Sequence, residues 1–187
     1  MAEEGKSEHQ LREQRAPWRK INVIIFVIIF AVVASIVIYS SWAAAPGGSK
    51  GGAKTPSLSL SPASQKVPLS SSLKIEIWAD TNSQPVNAVQ ANLSYPIDKL
   101  NFVNVDGTNS AFGLSVQGDG GNGVVTIARG SFQPISGKLL VATVNFTGAN
   151  PKGRATVSFT NSTALLSSTT NQNILAGTYG GTYSLSP

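Results

Sequence analysis

The segment VQANLSYPIDKLNFVNV, from Val89 to Val105, contains two alternating apolar runs that meet at a Tyr-Pro pair. The first run places an apolar residue at every second position and ends at Tyr95. Because successive side chains of a strand point to opposite faces, this pattern predicts a strand with one buried face. Pro96 has no backbone N–H for a ladder, and Leu100 and Phe102 resume the alternation. The segment therefore predicts two core strands joined by a bend at the proline.

The same period of two recurs throughout residues 57–187. Alternating runs are found at Leu58 and Leu60, Leu73 to Ala79, Val125 and Ile127, Leu140 to Phe146, Ala155 to Phe159, and Tyr183 and Leu185. Turn-forming residues separate these runs, including a glycine-rich turn predicted at Gly118 to Gly123, and no window shows the 3.6-residue period of a helix. Eight or nine short strands at this spacing predict an all-β domain, a two-sheet β-sandwich with jelly-roll-like topology.

The composition argues against an enzyme. The chain of 187 residues has no cysteine, and its single histidine is His9, far from the predicted domain. Ser-His-Asp and Cys-His catalytic arrangements are therefore excluded from the domain. Glycan hydrolysis would need two placed carboxylates, whereas the domain's few acidic residues lie at strand ends, in turns or on the polar face of a strand. We predict a non-catalytic domain that uses no cofactor.

The sequence pI of 9.6 does not indicate nucleic-acid binding. Residues 57–187 contain seven basic and five acidic residues, which leaves a net charge of only +2, and the basic residues are scattered. A nucleic-acid-binding surface needs a basic stripe that follows the phosphate backbone. The charge distribution therefore predicts no nucleic-acid partner.

The N-terminal part of the chain predicts a membrane anchor. The nineteen residues from Ile21 to Tyr39 carry no charge, and as a helix they would span roughly 28 Å, close to the thickness of a hydrocarbon core. Four basic residues lie just before this span, at Arg12, Arg15, Arg19 and Lys20. The positive-inside rule then predicts a single-pass protein of the cell membrane, with a cytoplasmic N-terminus and an extracytoplasmic C-terminal domain.

The predicted organisation has four segments: a cytoplasmic basic tail (1–20), a transmembrane signal anchor (21–42), a Gly/Ser/Pro linker (43–56) and the β-domain (57–187). A cleaved signal peptide is the alternative for the second segment, because Ala43 and Ala45 form an A-x-A-like site. The apolar span is longer than that of a signal peptide, and Pro46 would follow the scissile bond. We therefore favour an uncleaved anchor.

Two residues of the glycine-rich stretch have the oxygen atoms that calcium prefers. Asp119 and Asn122 could bind the ion together with loop carbonyls, although their spacing is not that of an EF-hand. A tight glycine-rich hairpin explains the same residues without a metal. The sequence leaves both interpretations open.

The order of these features resembles that of cohesin-like domains. The resemblance includes PVNAVQANLSY at Pro85 to Tyr95, DKLNFVNVDG at Asp98 to Gly107, the pair of strands within Gly123 to Gly148, and the glycine-led segment from Gly153 to Leu175. It implies a non-catalytic β-sandwich that binds a dockerin-like protein module. In dockerin-binding members, an Asn and an Asp on the strand before the tyrosine contact the partner. Those positions are Ala88 and Gln90 here, so the pair is not reproduced.

Outward-facing residues of two predicted strands are the candidate binding residues: Trp78, Lys74 and Glu76 on one strand, and Gln90 and Asn92 on the next. An exposed tryptophan stacks on a sugar ring or anchors a protein partner. In the alternative interpretation, a loop or a neighbouring strand covers Trp78.

The predicted function is a membrane-anchored, extracytoplasmic binding module that recognises a dockerin-like protein or a polysaccharide at the cell surface. The resemblance implies a setting of polysaccharide breakdown or surface assembly. The alternative is a pilin-like structural or adhesive subunit whose apolar helix packs into a fibre. Against this alternative, the linker from Pro46 to Pro56 is rich in glycine and would separate the helix from the domain.

Overall fold

The computed structural model describes residues 55–149 and 152–187, which contain strands, turns and bends but no helix. The strands are β1 (Ser57–Ser61), β2 (Ser64–Pro68), β3 (Ser72–Asp80), β4 (Val86–Ser94), β5 (Leu100–Asp106), β6 (Leu114–Gly121), β7 (Val124–Ile135), β8 (Lys138–Gly148), β9 (Gly153–Phe159), β10 (Ala164–Ser167), β11 (Gly177–Tyr179) and β12 (Gly181–Ser186). The prediction of an all-β domain is confirmed.

The predicted tail, the membrane span from Ile21 to Tyr39 and most of the linker lie outside the described residues. Within the part of the chain that the structure describes, no helix has the length and apolar character needed to cross a membrane.

The strands form two sheets. The five-stranded sheet has the order β11-β1-β3-β8-β5, and the seven-stranded sheet has the order β2-β12-β9-β4-β7-β6, with β10 also paired to β4. Among the described strands, β6 and β7 are the only consecutive pair joined by ladder hydrogen bonds. At most connections the chain therefore crosses from one sheet to the other, so each sheet is built from segments distant in sequence.

The core lies between the two sheets and combines the inward residues of both. Its largest fully buried side chains are Tyr183, Phe112, Phe146, Leu58, Leu73, Ile75, Ile77, Leu93, Leu100, Ile127, Leu165 and Val67. Full burial of an aliphatic or aromatic side chain of this size contributes roughly 1.5–3 kcal/mol. Burial of the inward apolar side chains, which the alternation predicted, is thus the main stabilising contribution to the sandwich.

The bend at Tyr95 has the predicted character. β4 ends at Ser94, and the Tyr95 N–H donates to the Gly123 carbonyl at 2.9 Å. The Tyr95 ring is buried and meets Phe146 edge-to-face, with 5.1 Å between ring centroids. The Pro96 carbonyl accepts from two following N–H groups and so closes the turn before Leu100 enters the core. The aromatic residue therefore ends the strand by pinning its end to the opposite sheet.

The predicted count of eight or nine strands is too low, since the described residues form twelve. The additional strands are β2, β6, β10 and β11. β2, for example, has one buried residue, and β11 is three residues long with none fully buried. Short or exposed strands lack the alternation by which the sequence analysis recognised the others.

The glycine-rich stretch is also different from its prediction. Gly118 to Gly121 belong to β6, and the turn consists only of Asn122 and Gly123. These two residues have φ angles of 51° and 83°, which is the type I′ geometry of a two-residue hairpin. The strand glycines allow close packing: a Cβ at Gly120 would lie 2.7 Å from the Phe102 ring. The missing side chains therefore make room for the opposite sheet.

Candidate binding faces

The candidate residues lie on two opposite faces of the sandwich. Trp78, Lys74 and Glu76 belong to β3 in the five-stranded sheet, whereas Gln90 and Asn92 belong to β4 in the seven-stranded sheet. In both strands the intervening residues are buried in the core. The structure therefore does not bring the five residues into a single site, and each face has to be considered separately.

The β3 face is the outer surface of the five-stranded sheet. It is formed by Ser59 of β1, Lys74, Glu76 and Trp78 of β3, Lys138 of β8 and Tyr179 of β11. Trp78 lies between Ser59 and Leu140 on the neighbouring strands and is half-buried. The small serine leaves the β1 side of the indole uncrowded, so the neighbouring strands cover the tryptophan only in part.

Polar contacts fix the orientation of the Trp78 ring. Its Nε1–H donates to Glu76 Oε2 at 2.8 Å, and Lys138 Nζ lies 5.1 Å from the ring centroid. A cation at that distance is attracted to the negative face of the ring. Glu76 and Lys138, which lie on the same face, thus restrict the orientation of the Trp78 ring.

Further along the β3 face, polar groups form local contacts. Asn145 Nδ2 donates to Asn104 Oδ1 at 2.7 Å across β8 and β5. The Asp106 carboxylate accepts the Thr108 N–H at 2.9 Å, and its hydrogen bonds with Thr108 lower the pKa of Asp106. Lys74 is exposed and contributes a smaller electrostatic effect to the same pKa. The face therefore has both acidic and basic groups.

Tyr179 is a prominent aromatic residue of the β3 face that the sequence analysis missed. It is 63% exposed and pairs in register with Ser59 of β1. Its hydroxyl lies 3.5 Å from the position that a Cβ of Gly177 would occupy, so the side chain leans back over that glycine. The three-residue strand GTY is too short to show a period of two, although its tyrosine next to glycines is visible in the sequence.

The β4 face is the outer surface of the seven-stranded sheet around Gln90. Its central residues are Ala88 and Gln90 of β4, Ala128 and Gly130 of β7, and Leu166 of β10, together with Ala164 of β10, which is buried next to Gln90. None of these six residues is charged, and four of them are alanine or glycine. The β4 face is therefore flat and largely apolar, with the Gln90 carboxamide as its central polar group.

Asn92 lies on the same side of β4 but is only 7% exposed. Its Nδ2 donates to Ser162 Oγ at 2.8 Å, and its backbone N–H and carbonyl both pair with Thr163 Oγ1 at 3.2 Å. Its carbonyl also accepts from the Thr160 N–H at 2.8 Å. Asn92 thus fastens residues 160–163 to β4, which gives it a structural position beside the face and not an open one on it.

A bulge at the end of β7 borders the β4 face. Val86 pairs with Ile135 and Ala88 with Gly130, so the four residues 131–134 lie opposite Asn87 alone and form a bulge. Phe132 in this bulge is 82% exposed. An exposed phenylalanine is the kind of side chain that anchors a protein partner. Phe132 is not recognisable as an outward residue in the sequence, because a bulge interrupts the period of two.

Asp119 and Asn122, the candidate calcium ligands, have local roles in the β6–β7 hairpin. Asp119 Oδ1 accepts the Gly120 N–H at 2.7 Å, and Asn122 occupies the first left-handed position of the turn. In residues 55–149 and 152–187, no group of three or more acidic, histidine or cysteine side chains is placed to hold a metal ion. The geometry of these two residues is that of the hairpin interpretation.

No protein-family model matches the sequence, and no curated protein is significantly similar to it. Solved structures, in contrast, are similar in fold. CaCohA2 of Clostridium acetobutylicum, in its complex with CaDoc0917, has a TM-score of 0.61 at 14% identity, covering 71% of this chain and 100% of its own. A non-cellulosomal cohesin from the archaeon Archaeoglobus fulgidus has a TM-score of 0.57 at 15% identity, covering 72% of this chain and 93% of its own.

A third similar structure is the third ScaC cohesin of Acetivibrio cellulolyticus in complex with the ScaB dockerin. Its TM-score is 0.55 at 14% identity, and the match covers 70% of this chain and 99% of that one. At such identities the likeness concerns the fold. The described domain therefore has a cohesin-like β-sandwich fold, as the sequence resemblance implied.

Proposed function

We propose that this protein is a non-catalytic binding module that presents its β4 face to a dockerin-like protein from the outer side of a membrane. The observation that carries the proposal is the flat, uncharged β4 face on a fold shared with a cohesin solved in complex with a dockerin. Protein interfaces exclude charged residues from their centres and place aromatic anchors around well-packed apolar surface. Ala128 would lie at such a centre and Phe132 at its border.

The face also explains how binding could occur without the family's Asn and Asp pair. Ala88 and Gln90, which occupy those positions, offer one methyl group and one carboxamide. Their ladder partners Gly130, Ala128 and Leu166 add small or apolar groups to the exposed surface. An interface of this composition would depend on close packing of apolar surface, so we expect its affinity to change little with salt concentration.

The proposal can be tested with the full-length protein in mild detergent and a panel of purified dockerin modules, using titration calorimetry. Ala128→Arg should weaken binding by about 100-fold or more, because it would bury an unpaired charge at the centre of the interface. Thr143→Arg, an outward position of β8 on the β3 face, is the matched control and should leave the affinity unchanged. Failure of the whole panel to bind, or equal affinities for both variants, would contradict the proposal.

The proposed location has its own test. The charge-free span from Ile21 to Tyr39 and the four basic residues before it support an uncleaved anchor with the domain outside. In intact cells, external protease should then digest the C-terminal domain, and the protein should resist extraction from membranes by alkaline carbonate. Intact mass spectrometry of the membrane-bound protein should show the complete N-terminus. A mature chain beginning near Pro46 would indicate the cleaved alternative instead.

A further inference from the structure

Two aromatic residues of the β3 face lie in one row across the sheet. Tyr179 pairs with Ser59, and Ser59 pairs with Trp78, so the row runs from β11 through β1 to β3. Two interstrand spacings separate the aromatic positions, which is about 10 Å. Ser59 is the only residue between them in this row, and its small side chain leaves a shallow depression between two larger side chains.

Contacts with neighbouring residues restrict the orientation of both aromatic side chains. Tyr179 leans over Gly177, where the absence of a Cβ allows the side chain to lie close to the sheet while 63% of the residue stays exposed. Trp78 is oriented by its hydrogen bond to Glu76 and by the Lys138 ammonium. Ordered side chains lose little conformational entropy on binding, so the row is preorganised for a ligand.

The groups around the row favour a neutral ligand rich in hydroxyl groups. Lys74 and Lys138 are balanced by Glu76 and Asp80 on the same face, so the net charge of these four residues is zero. Glu76 can accept hydrogen bonds at the edge of the indole, and Lys138, whose Nζ lies over one face of the ring, can donate them, so a sugar would stack on the rest of the indole surface. A sugar ring presents C–H groups to an aromatic face and hydroxyl groups around its edge, and both parts would find partners here.

We propose that the β3 face is a second binding site, which accepts an extended, neutral, β-linked polysaccharide lying across β11, β1 and β3. In such a chain, alternate sugar rings recur at a separation comparable to the Tyr179–Trp78 spacing. Two sugars would stack on the aromatic side chains, and the sugar between them would lie above Ser59. The site is separate from the β4 face, so protein and polysaccharide can bind at the same time.

The test is titration calorimetry of the full-length protein in mild detergent with hydroxyethylcellulose, glucomannan and xylan, with polygalacturonate as the acidic comparison. Tyr179→Ala and Trp78→Ala should each weaken binding of the neutral polysaccharide about tenfold or more. Tyr179→Phe should bind like the wild type, because it keeps the aromatic ring. Phe132→Ala removes an exposed aromatic residue from β7 of the other sheet and should have no effect.

Several results would overturn the proposal. These are failure of all three neutral polysaccharides to bind, stronger binding of polygalacturonate, or an equal loss of affinity in Phe132→Ala. Tyr179 lies at an exposed edge strand, so its substitution should not unfold the domain, which far-UV circular dichroism will verify. Dockerin binding by Tyr179→Ala is measured in parallel. The dockerin proposal concerns the β4 face, so its failure would appear as a loss of dockerin binding. Failure of the polysaccharide proposal would appear as an absence of polysaccharide binding.

Discussion

Both outer faces of this sandwich are formed by alternate residues of adjacent strands, but the side chains of the two faces differ in chemistry. The β3 face combines lysines and acids with Trp78 and Tyr179, whereas the central residues of the β4 face are uncharged and mostly small. The β4 face also has a covering segment at one side, because residues 160–163 are fastened to Asn92. The β3 face has ordered side chains that project from it. The β4 face therefore suits a flat apolar partner, and the β3 face suits a ligand that stacks on its aromatic rings.

This difference shows that the partners of a strand decide what its outward residues can do. Trp78 and Asn92 are both outward residues next to buried ones. Trp78 remains available because its neighbour on β1 is a serine, and Asn92 does not because a distant turn lies over it.

Arg129 supports the end of the β4 face from inside the sandwich. Its guanidinium is buried and donates to the carbonyls of Phe112 and Gly107, and burial lowers its pKa. Arg129→Met should reduce the free energy of unfolding by about 3 kcal/mol, since hydrogen bonds to charged groups contribute about 1.5–3 kcal/mol each. Hydrogen exchange should also accelerate in residues 107–113. Chemical denaturation provides the stability measurement.

The exposed Arg154 on β9 is the matched control for this prediction, and Arg154→Met should change stability by less than about 0.5 kcal/mol. Polysaccharide binding at the β3 face should survive in Arg129→Met under conditions where the variant is folded. Loss of that binding together with dockerin binding would show that the two faces are not independent.

Asn92 is the second point of support for the β4 face. Asn92→Ala should lower the free energy of unfolding by about 1–2 kcal/mol, because it removes the Nδ2 group that donates to the Ser162 hydroxyl and carbonyl. Ser94→Ala is the control, since Ser94 is an exposed residue on the same side of the same strand. Equal denaturation midpoints for the two variants would contradict the structural role of Asn92.

Gly120 connects the two sheets, so its substitution should affect both faces alike. A Cβ at this position would lie 2.7 Å from the Phe102 ring, and Gly120→Ala should destabilise the domain by about 1–2 kcal/mol through overpacking. Gly113 has open space where its Cβ would be, so Gly113→Ala should change stability far less. Thermal unfolding measures the two variants. Equal unfolding temperatures would contradict the prediction, because they would show that the sheets can move apart at Phe102 without a loss of stability.

The sequence predicted the features that depend on local alternation, but not those that depend on contacts between segments distant in sequence. Alternation of Leu73, Ile75 and Ile77 correctly predicted a core strand and the outward direction of Trp78. Alternation cannot indicate which sheet a strand joins, because β3 finds β8 and β4 finds β7 only through long-range pairing. The candidate residues were therefore assigned to one binding set although they lie on two faces. Phe132 was missed for a related reason, since a bulge has no periodic signal.

Tyr183 is remote from both faces and should show the smallest effect, one that depends on pH. Its hydroxyl donates to the Pro62 carbonyl at 2.8 Å, and burial raises the pKa of Tyr183 from 10.0 to about 12. The unfolded chain therefore releases this proton at lower pH than the folded domain does. The contribution of Tyr183 to stability is complete below about pH 10 and is lost as the pH rises from about 10 to about 12. Tyr183→Phe should be less stable by about 1 kcal/mol at neutral pH, owing to the lost hydrogen bond.

The difference between wild type and Tyr183→Phe should then shrink above about pH 10, because only the wild type has a buried phenol to ionise. Urea denaturation at several values between neutral and about pH 11 measures this difference. Tyr179→Phe is the control, since it makes the same substitution at an exposed position outside the core. A difference that stays constant with pH would mean that the Tyr183 hydroxyl is hydrated in the folded protein. It would also mean that water reaches the core more easily next to β12 than beneath the β3 and β4 faces.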